Sequence, residues 1–140
     1  KEAVILGLKS EDVLSTVPPP MVRAALYSWL YIANTLPWLA ALTASHILER
    51  RNNSAIVKGG GMSKRWREKL IREVGIPAET LISSNIHVVA DVEHSDLIWD
   101  AIARHVVDER TYNAVLEGAQ ESLQIDRAYR GALAYGLRQL

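Results

Sequence analysis

The chain has 140 residues, of which 49% are hydrophobic and 23% are charged. This balance is typical of a globular domain with a single core and excludes a disordered or fibrous chain. Sixteen basic residues match sixteen acidic ones, so the zero net charge gives no general attraction to nucleic acid or to an anionic membrane.

The composition also restricts the chemistry. Cysteine is absent, which excludes disulfides, Cys-ligated zinc, iron–sulfur clusters and a cysteine nucleophile. This absence fits a reducing compartment, and we expect a cytoplasmic protein. No apolar run reaches the roughly 18 residues that a transmembrane helix needs. The first residue is Lys1 rather than Met, so we expect the natural start to lie upstream.

Proline residues divide the first part of the chain into predicted helices. Ser10 is a candidate N-cap for a short helix over 10–15, which the three prolines at 18–20 end. A second helix is predicted over about 20–34 because apolar residues recur there at helical spacing. Its predicted buried stripe consists of Leu26, Trp29, Leu30 and Ala33.

A third helix is predicted from about Pro37 to Arg50. Four of its residues recur at spacings of three or four and therefore share one face: Leu39, Leu42, His46 and Glu49. A carboxylate on an apolar face is costly unless it is paired or metal-bound, which makes Glu49 a candidate ligand. For a single histidine such as His46, packing in the core is the favoured interpretation.

The middle of the chain contains a glycine-rich stretch and a basic helix. Lys58–Gly61 lacks the full phosphate-loop pattern and no strand leads into it, so we interpret it as a plain loop. Ser63 is a candidate cap for a helix over 64–74, which Gly75 ends. Acidic residues dilute the basic charge of this helix, and a solvated face is the favoured interpretation.

Two long helices are predicted in the second half of the chain. The first runs from about Glu79 or Ser84 to Val107, and the second runs over about 109–137 with Asp108 as its cap. No segment shows the clean alternation of a strand. The sequence therefore predicts an all-α fold.

The first long helix carries the pattern H-x-x-x-D-x-x-H, formed by His87, Asp91 and His94. At about 100° per residue, Asp91 lies about 40° and His94 about −20° from His87, so the three side chains share one narrow face. Two histidines and a carboxylate are the ligand set that suits non-haem iron. Helical bundles build di-iron sites with carboxylates from facing helices, and Glu49 is the best candidate on a second helix.

The runs Ile76–Leu81 and His87–His94 resemble the haem-oxygenase-like di-metal oxidases and oxygenases. The superfamily also includes the thiaminase II-like proteins and the pyrroloquinoline quinone synthesis oxidase. In the iron-containing branch a late helix carries H-x-x-x-D-x-x-H, and an earlier helix ends in Leu-Glu, matched here by Leu48 and Glu49. The resemblance covers roughly 36–105 and implies a multi-helical bundle of which this chain is the later part. It also implies four metal ligands: Glu49, His87, Asp91 and His94.

The resemblance implies a non-haem di-iron enzyme that activates O₂ to oxidise a small amino-acid-like or fatty-acid-like substrate, often in natural-product biosynthesis. Its cofactor would be Fe²⁺, as two ions, with manganese as the alternative metal, and a homodimer is a family expectation. The family takes a further Glu and His from an earlier helix, and no such pair precedes Pro18. That helix lies before Lys1, or a partner chain supplies the pair, or one metal position has been lost.

Two other interpretations remain open. One is a metal-independent enzyme of the same fold, as in the thiaminase II-like branch. The other is a helical interaction module without catalytic activity, which the missing early ligands favour.

Overall fold

A computed structural model describes residues 2–138, and within this range the chain is helical without any strand, which confirms the predicted all-α class. The helices are α1 (Glu2–Ile5), α2 (Ser10–Ser15), α3 (Pro20–Thr35), α4 (Trp38–Arg50), α5 (Met62–Lys69), α6 (Ile82–His105) and α7 (Glu109–Leu137). A π-helical turn (Leu70–Val74) continues α5, and a short 3₁₀ turn (Ala78–Thr80) precedes α6. None of the helices in this range combines the length and the apolar character needed to cross a membrane.

The ends of the helices follow from local chemistry. The Asp108 carboxylate accepts a hydrogen bond from the Thr111 N–H at 2.7 Å, and the Thr111 hydroxyl accepts one from the Asp108 N–H at 3.0 Å. This capping box fixes the start of α7, as the sequence predicts. The predicted cap of α2 is wrong, because Lys9 is the N-cap and Ser10 is the first helical residue. The predicted cap of α5, Ser63, is also wrong, because Gly61 is the N-cap and Ser63 lies within the helix.

Close contacts divide the described chain into two compact units. Unit 1 comprises residues 2–17 and 49–96, and unit 2 comprises residues 18–48 and 97–138. Helices α4 and α6 each contribute residues to both units.

The core of unit 1 forms where the π-helical turn meets the segment that leads into α6. Leu70, Ile76 and Leu81 are buried there, and Ile71 packs against them. Gly75 adopts φ +73°, a left-handed conformation that glycine adopts without steric cost, and its N–H donates to the Leu70 carbonyl. The prediction that Gly75 ends this helix is confirmed.

The core of unit 2 is built from α3, α4 and α7. Ile32, Ala44 and Ile125 form its buried centre. A Cβ on Gly118 would lie 2.0 Å from the Ala40 carbonyl oxygen, so α7 and α4 approach each other backbone to backbone. Four residues later, the buried Ser122 hydroxyl donates to the Ala44 carbonyl at 2.8 Å. These two contacts hold the middle of α7 against α4.

The buried face of α3 differs from the predicted stripe. The helix buries Val22, Ala25 and Ile32, whereas Leu26 is 44% and Leu30 is 59% exposed. Of the predicted stripe, only Trp29 packs against the core. Helix α3 is apolar on opposite sides, so its spacing alone does not select the side that is buried.

Candidate metal centre

The long helix α6 has a buried face that contains polar residues. Ser84, Asp91 and Ser95 are buried at helical spacing, and Asp91 is only 1% exposed. His87 and His94 lie at the edge of this face, with side chains 54% and 56% exposed. A buried carboxylate on this helix is stable only if other groups compensate its desolvation.

Helix α4 supplies the facing carboxylate within the same unit. One ligand atom from each of Glu49, Asp91 and His94 can be chosen so that all three lie within 4.8 Å of one another. Glu49 Oε2 lies 3.9 Å from His94 Nδ1, and the Glu49 side chain is 28% exposed. The fold therefore brings together three of the four predicted ligands from two helices.

His87, the fourth predicted ligand, makes a different contact. Its Nδ1 lies 2.9 Å from Asp91 Oδ1. A carboxylate oxygen accepts, so His87 Nδ1 is the donor in this hydrogen bond. His87 therefore holds Asp91 through Oδ1 and lies beside the group of three. Its role as a metal ligand stays a prediction.

Two carboxylate oxygens of this cluster are buried and form no hydrogen bond within the described residues. Glu49 Oε2 and Asp91 Oδ2 have no hydrogen-bond partner in the described part of the chain. Burial raises the pKa of the Glu49 carboxyl, as does the neighbouring Asp91, while His94 and His87 act in the opposite direction. A bound cation would compensate both oxygens, because buried charges are ordinarily paired or coordinate a metal.

Sequence analysis missed Ser95, a further polar residue on the buried face of α6. Ser95 is fully buried one helical turn after Asp91, and its Oγ has no hydrogen-bond partner within residues 2–138. Ser95 follows Asp91 by four residues, and this spacing in the sequence indicates that the two side chains share a helix face. A serine is common on any helix, so that signal alone does not distinguish a site residue.

The other two histidines are placed elsewhere. In unit 2, the buried His46 stacks on Trp99 with ring centroids 5.8 Å apart. His105 Nδ1 donates to the Ala101 carbonyl at 2.7 Å, and its ring meets Trp38 edge to face. These contacts are consistent with the packing interpretation of His46 and leave His105 outside the cluster.

The donor set defines which ions the cluster suits. Two carboxylates and one imidazole carry up to two negative charges, which match a divalent cation. Such oxygen and nitrogen ligands suit Fe²⁺, Mn²⁺ and Zn²⁺ rather than Cu⁺, which prefers sulfur. Among the described residues, this is the one group of three or more acidic or histidine side chains close enough to share an ion.

Comparisons of the chain with protein-family models, with curated proteins and with solved structures find no match in any of the three. The functional assignment therefore depends on the geometry of the Glu49–Asp91–His94 cluster.

Proposed function

We propose that this protein binds a divalent transition-metal ion through Glu49, Asp91 and His94 and uses it to oxidise a small molecule with O₂. The observation that carries the proposal is the convergence of these three groups, two of them with a buried carboxylate oxygen that lacks a hydrogen-bond partner in the described chain. A metal-free cluster would leave those oxygens desolvated and without a hydrogen bond.

The donor atoms could bind one cation if the distances between them became slightly shorter. Bonds of about 2.1 Å to one ion place two donor atoms at most about 4.2 Å apart. The three groups lie within 4.8 Å of one another, so modest side-chain rotation is sufficient. The half-exposed ring of His94 is free to make such an adjustment at little cost in packing.

The proposed metal is iron, with manganese as the alternative. A bound iron would supply redox chemistry toward O₂, and the chain itself would position it. His87 orients Asp91 through their hydrogen bond, and such outer partners of a ligand tune the affinity of a metal site. The His94 side chain is 56% exposed and so lies at the solvent edge of the cluster, whereas Glu49 Oε2 and Asp91 Oδ2 are buried.

The resemblance of the H-x-x-x-D-x-x-H helix to haem-oxygenase-like oxidases supports the assignment to an oxidoreductase. We extend the proposal to the substrate class of that family, which comprises small amino-acid-like and fatty-acid-like compounds. A second metal position would need ligands beyond these three. We expect the enzyme to act in a reducing cytoplasm, where Fe²⁺ is retained.

Metal analysis of protein expressed with added iron tests this proposal. We expect at least one iron per chain in the wild type and a loss of bound iron in Asp91→Ala. Asp96→Ala is the matched control, because Asp96 is an exposed aspartate on the same helix. Helical circular dichroism should be unchanged in both variants. Undiminished iron in Asp91→Ala would refute the ligand assignment.

Oxygen uptake by the iron-loaded protein tests the activity. Panels of amino acids and fatty acids should include at least one compound that accelerates O₂ consumption in the wild type and in Asp96→Ala but not in Asp91→Ala. If the protein binds iron but no compound accelerates O₂ consumption, the metal site stands and the proposed substrate class is refuted.

One specific observation favours a second candidate function, a helical module that holds no metal. The cluster contains two histidine–carboxylate pairs, Glu49 with His94 at 3.9 Å and His87 with Asp91 at 2.9 Å. If these pairs neutralise each other, no cation is needed. Protein that contains no metal, and whose melting temperature does not change with added Fe²⁺, Mn²⁺ or Zn²⁺, would establish this alternative.

A further inference from the structure

Unit 2 contains a groove that the proposed metal site does not use. It has a volume of about 820 Å³ and lies between the start of α4 and the first turns of α7. This volume is within the range of about 300–1,000 Å³ that small-molecule sites occupy. No residue of the groove belongs to the Glu49–Asp91–His94 cluster.

The aromatic wall of the groove is Trp38, whose side chain is 58% exposed. The His105 ring is perpendicular to Trp38, with centroids 5.0 Å apart, and so covers at most one face of the indole. A large exposed indole beside an apolar floor that includes Leu39 is a surface that water solvates poorly. Among aromatic side chains, tryptophan binds cations most strongly through its face.

The charged wall of the groove carries more negative than positive charge. Glu109, Glu117 and Arg110 line the groove, so its lining includes two acidic residues and one basic residue. Within residues 2–138, none of these three side chains forms an ion pair. The pKa of the neighbouring Asp108 is lowered chiefly by hydrogen bonds from Thr111, with a smaller contribution from the Arg110 charge.

We propose that this groove binds a small organic ammonium ion, with the cation against the face of Trp38 and the charge balanced by Glu117 and Glu109. The apolar floor accommodates the methyl or methylene groups around the nitrogen. The lining has one more acidic than basic residue, which favours a cation over an anion, and its aromatic wall favours a weakly hydrated quaternary ammonium over a metal ion.

Calorimetric titration of the full chain with choline tests the proposal. The control ligand is 3,3-dimethyl-1-butanol, which replaces the quaternary nitrogen with carbon and so removes the charge while it keeps the shape. We expect choline to bind at least about fivefold more tightly, which corresponds to a cation–π interaction of about 1 kcal/mol. Equal affinities, or no binding of choline, would overturn the proposal.

Substitutions inside and outside the groove test whether choline binds there. Glu117→Gln should weaken choline binding severalfold, and Trp38→Leu should weaken it further. Glu121→Gln removes the same charge one turn along α7, outside the groove, and should leave the affinity unchanged. If Trp38→Leu fails to fold, a shift of the choline methyl signals toward high field, caused by the indole ring current, provides the second test. Its absence, or equal losses in Glu117→Gln and Glu121→Gln, would refute the site.

Titration with acetate distinguishes a cation site from an anion site in the same groove. Tighter binding of acetate than of choline would show that Arg110, rather than Trp38, determines which ligand the groove binds. This result would overturn the proposal. Because the groove and the metal ligands share no residue, Asp91→Ala should bind choline as the wild type does. This result is expected whether or not the metal proposal holds.

Discussion

His87 Nδ1 and Asp91 Oδ1 lie 2.9 Å apart, one helical turn from each other on α6. The pair joins an exposed imidazole to a carboxylate that is only 1% exposed. The bond occupies one oxygen of Asp91 and leaves Oδ2 buried without a hydrogen-bond partner in the described chain. Asp91 is therefore held in one orientation with its second oxygen available to Glu49, His94 and an ion.

This arrangement predicts unequal effects of removing the two histidines. His87→Ala should weaken metal affinity by about 10–100-fold, as expected for loss of a group that orients a ligand. His94→Ala should abolish measurable binding, because it removes a donor atom from the cluster. Competition titrations with a chromogenic chelator measure both affinities.

His87→Gln is the informative control, because its side-chain amide can still donate to Asp91. Partial recovery relative to His87→Ala supports an orienting role. Equal and complete loss in His87→Ala, His87→Gln and His94→Ala would show instead that His87 is itself a ligand.

Asp91→Asn separates the charge of Asp91 from its shape. The amide oxygen still accepts the hydrogen bond from His87, while the negative charge beside Glu49 is lost. Burial raises the pKa of Glu49, and the neighbouring Asp91 raises it further. Because Asp91→Asn removes only the second cause, the variant should be at least as stable as the metal-free wild type in thermal denaturation. It should lose the stabilisation of about 2.7 kcal/mol that metal provides at a hundred times its dissociation constant. Lower stability of metal-free Asp91→Asn would contradict this account.

The contact between α7 and α4 predicts opposite effects for two glycines of α7. A Cβ at Gly118 would lie 2.0 Å from the backbone oxygen of Ala40, which cannot move aside without shifting the helix. Gly118→Ala should therefore destabilise the protein by about 3 kcal/mol or more. Urea denaturation followed by circular dichroism measures the change.

Gly131→Ala is the matched control on the same helix. A Cβ there meets nothing within 4 Å, so the substitution should stabilise the protein by about 0.5–1 kcal/mol through helix propensity. If Gly118→Ala is as well tolerated as Gly131→Ala, the close approach of α7 to α4 is wrong.

The N-cap of α7 predicts a dependence of stability on pH. Hydrogen bonds from the Thr111 backbone and side chain lower the pKa of Asp108 below its usual 3.8. A carboxyl with a lowered folded-state pKa contributes stability above its unfolded pKa and loses that contribution as pH falls through its folded pKa. The contribution of Asp108 should therefore be fully present at pH 5 and above, begin to decline at about pH 4, and be lost only as pH falls through the lowered folded-state pKa.

Thermal melts of Asp108→Asn and Asp108→Ala measure this contribution. Asn caps a helix nearly as well as Asp but does not titrate, so Asp108→Asn should keep most of the stability and lose part of the acid dependence. Asp108→Ala should be less stable than the wild type at pH 7 and should approach it in stability at low pH. A constant difference across this range would refute the role of the charge.

The sequence predicted the helices well because their signals are local. Proline at 37, the cap at Asp108 and glycine at 75 each act on residues within about one turn, and the corresponding helix ends were confirmed. The α2 cap was wrong by one residue, a shift that local signals do not resolve.

The choice of buried face was less well predicted. Leu26 and Leu30 repeat at helical spacing in α3 as regularly as the residues that are buried, yet both are exposed. Burial depends on which side the other helices of unit 2 cover, and that information is not present in the periodicity of one helix.

The candidate site was also predicted only in part from the sequence. Spacing along α6 determined that His87, Asp91 and His94 share one side of a single helix, because helix geometry fixes that relationship. Only the tertiary structure brought Glu49 within reach of Asp91 and His94 and turned His87 toward Asp91. The distance of Glu49 from Asp91 and His94 depends on packing between segments of unit 1 that are far apart in the chain, whereas the order of side chains on one helix depends on the backbone alone.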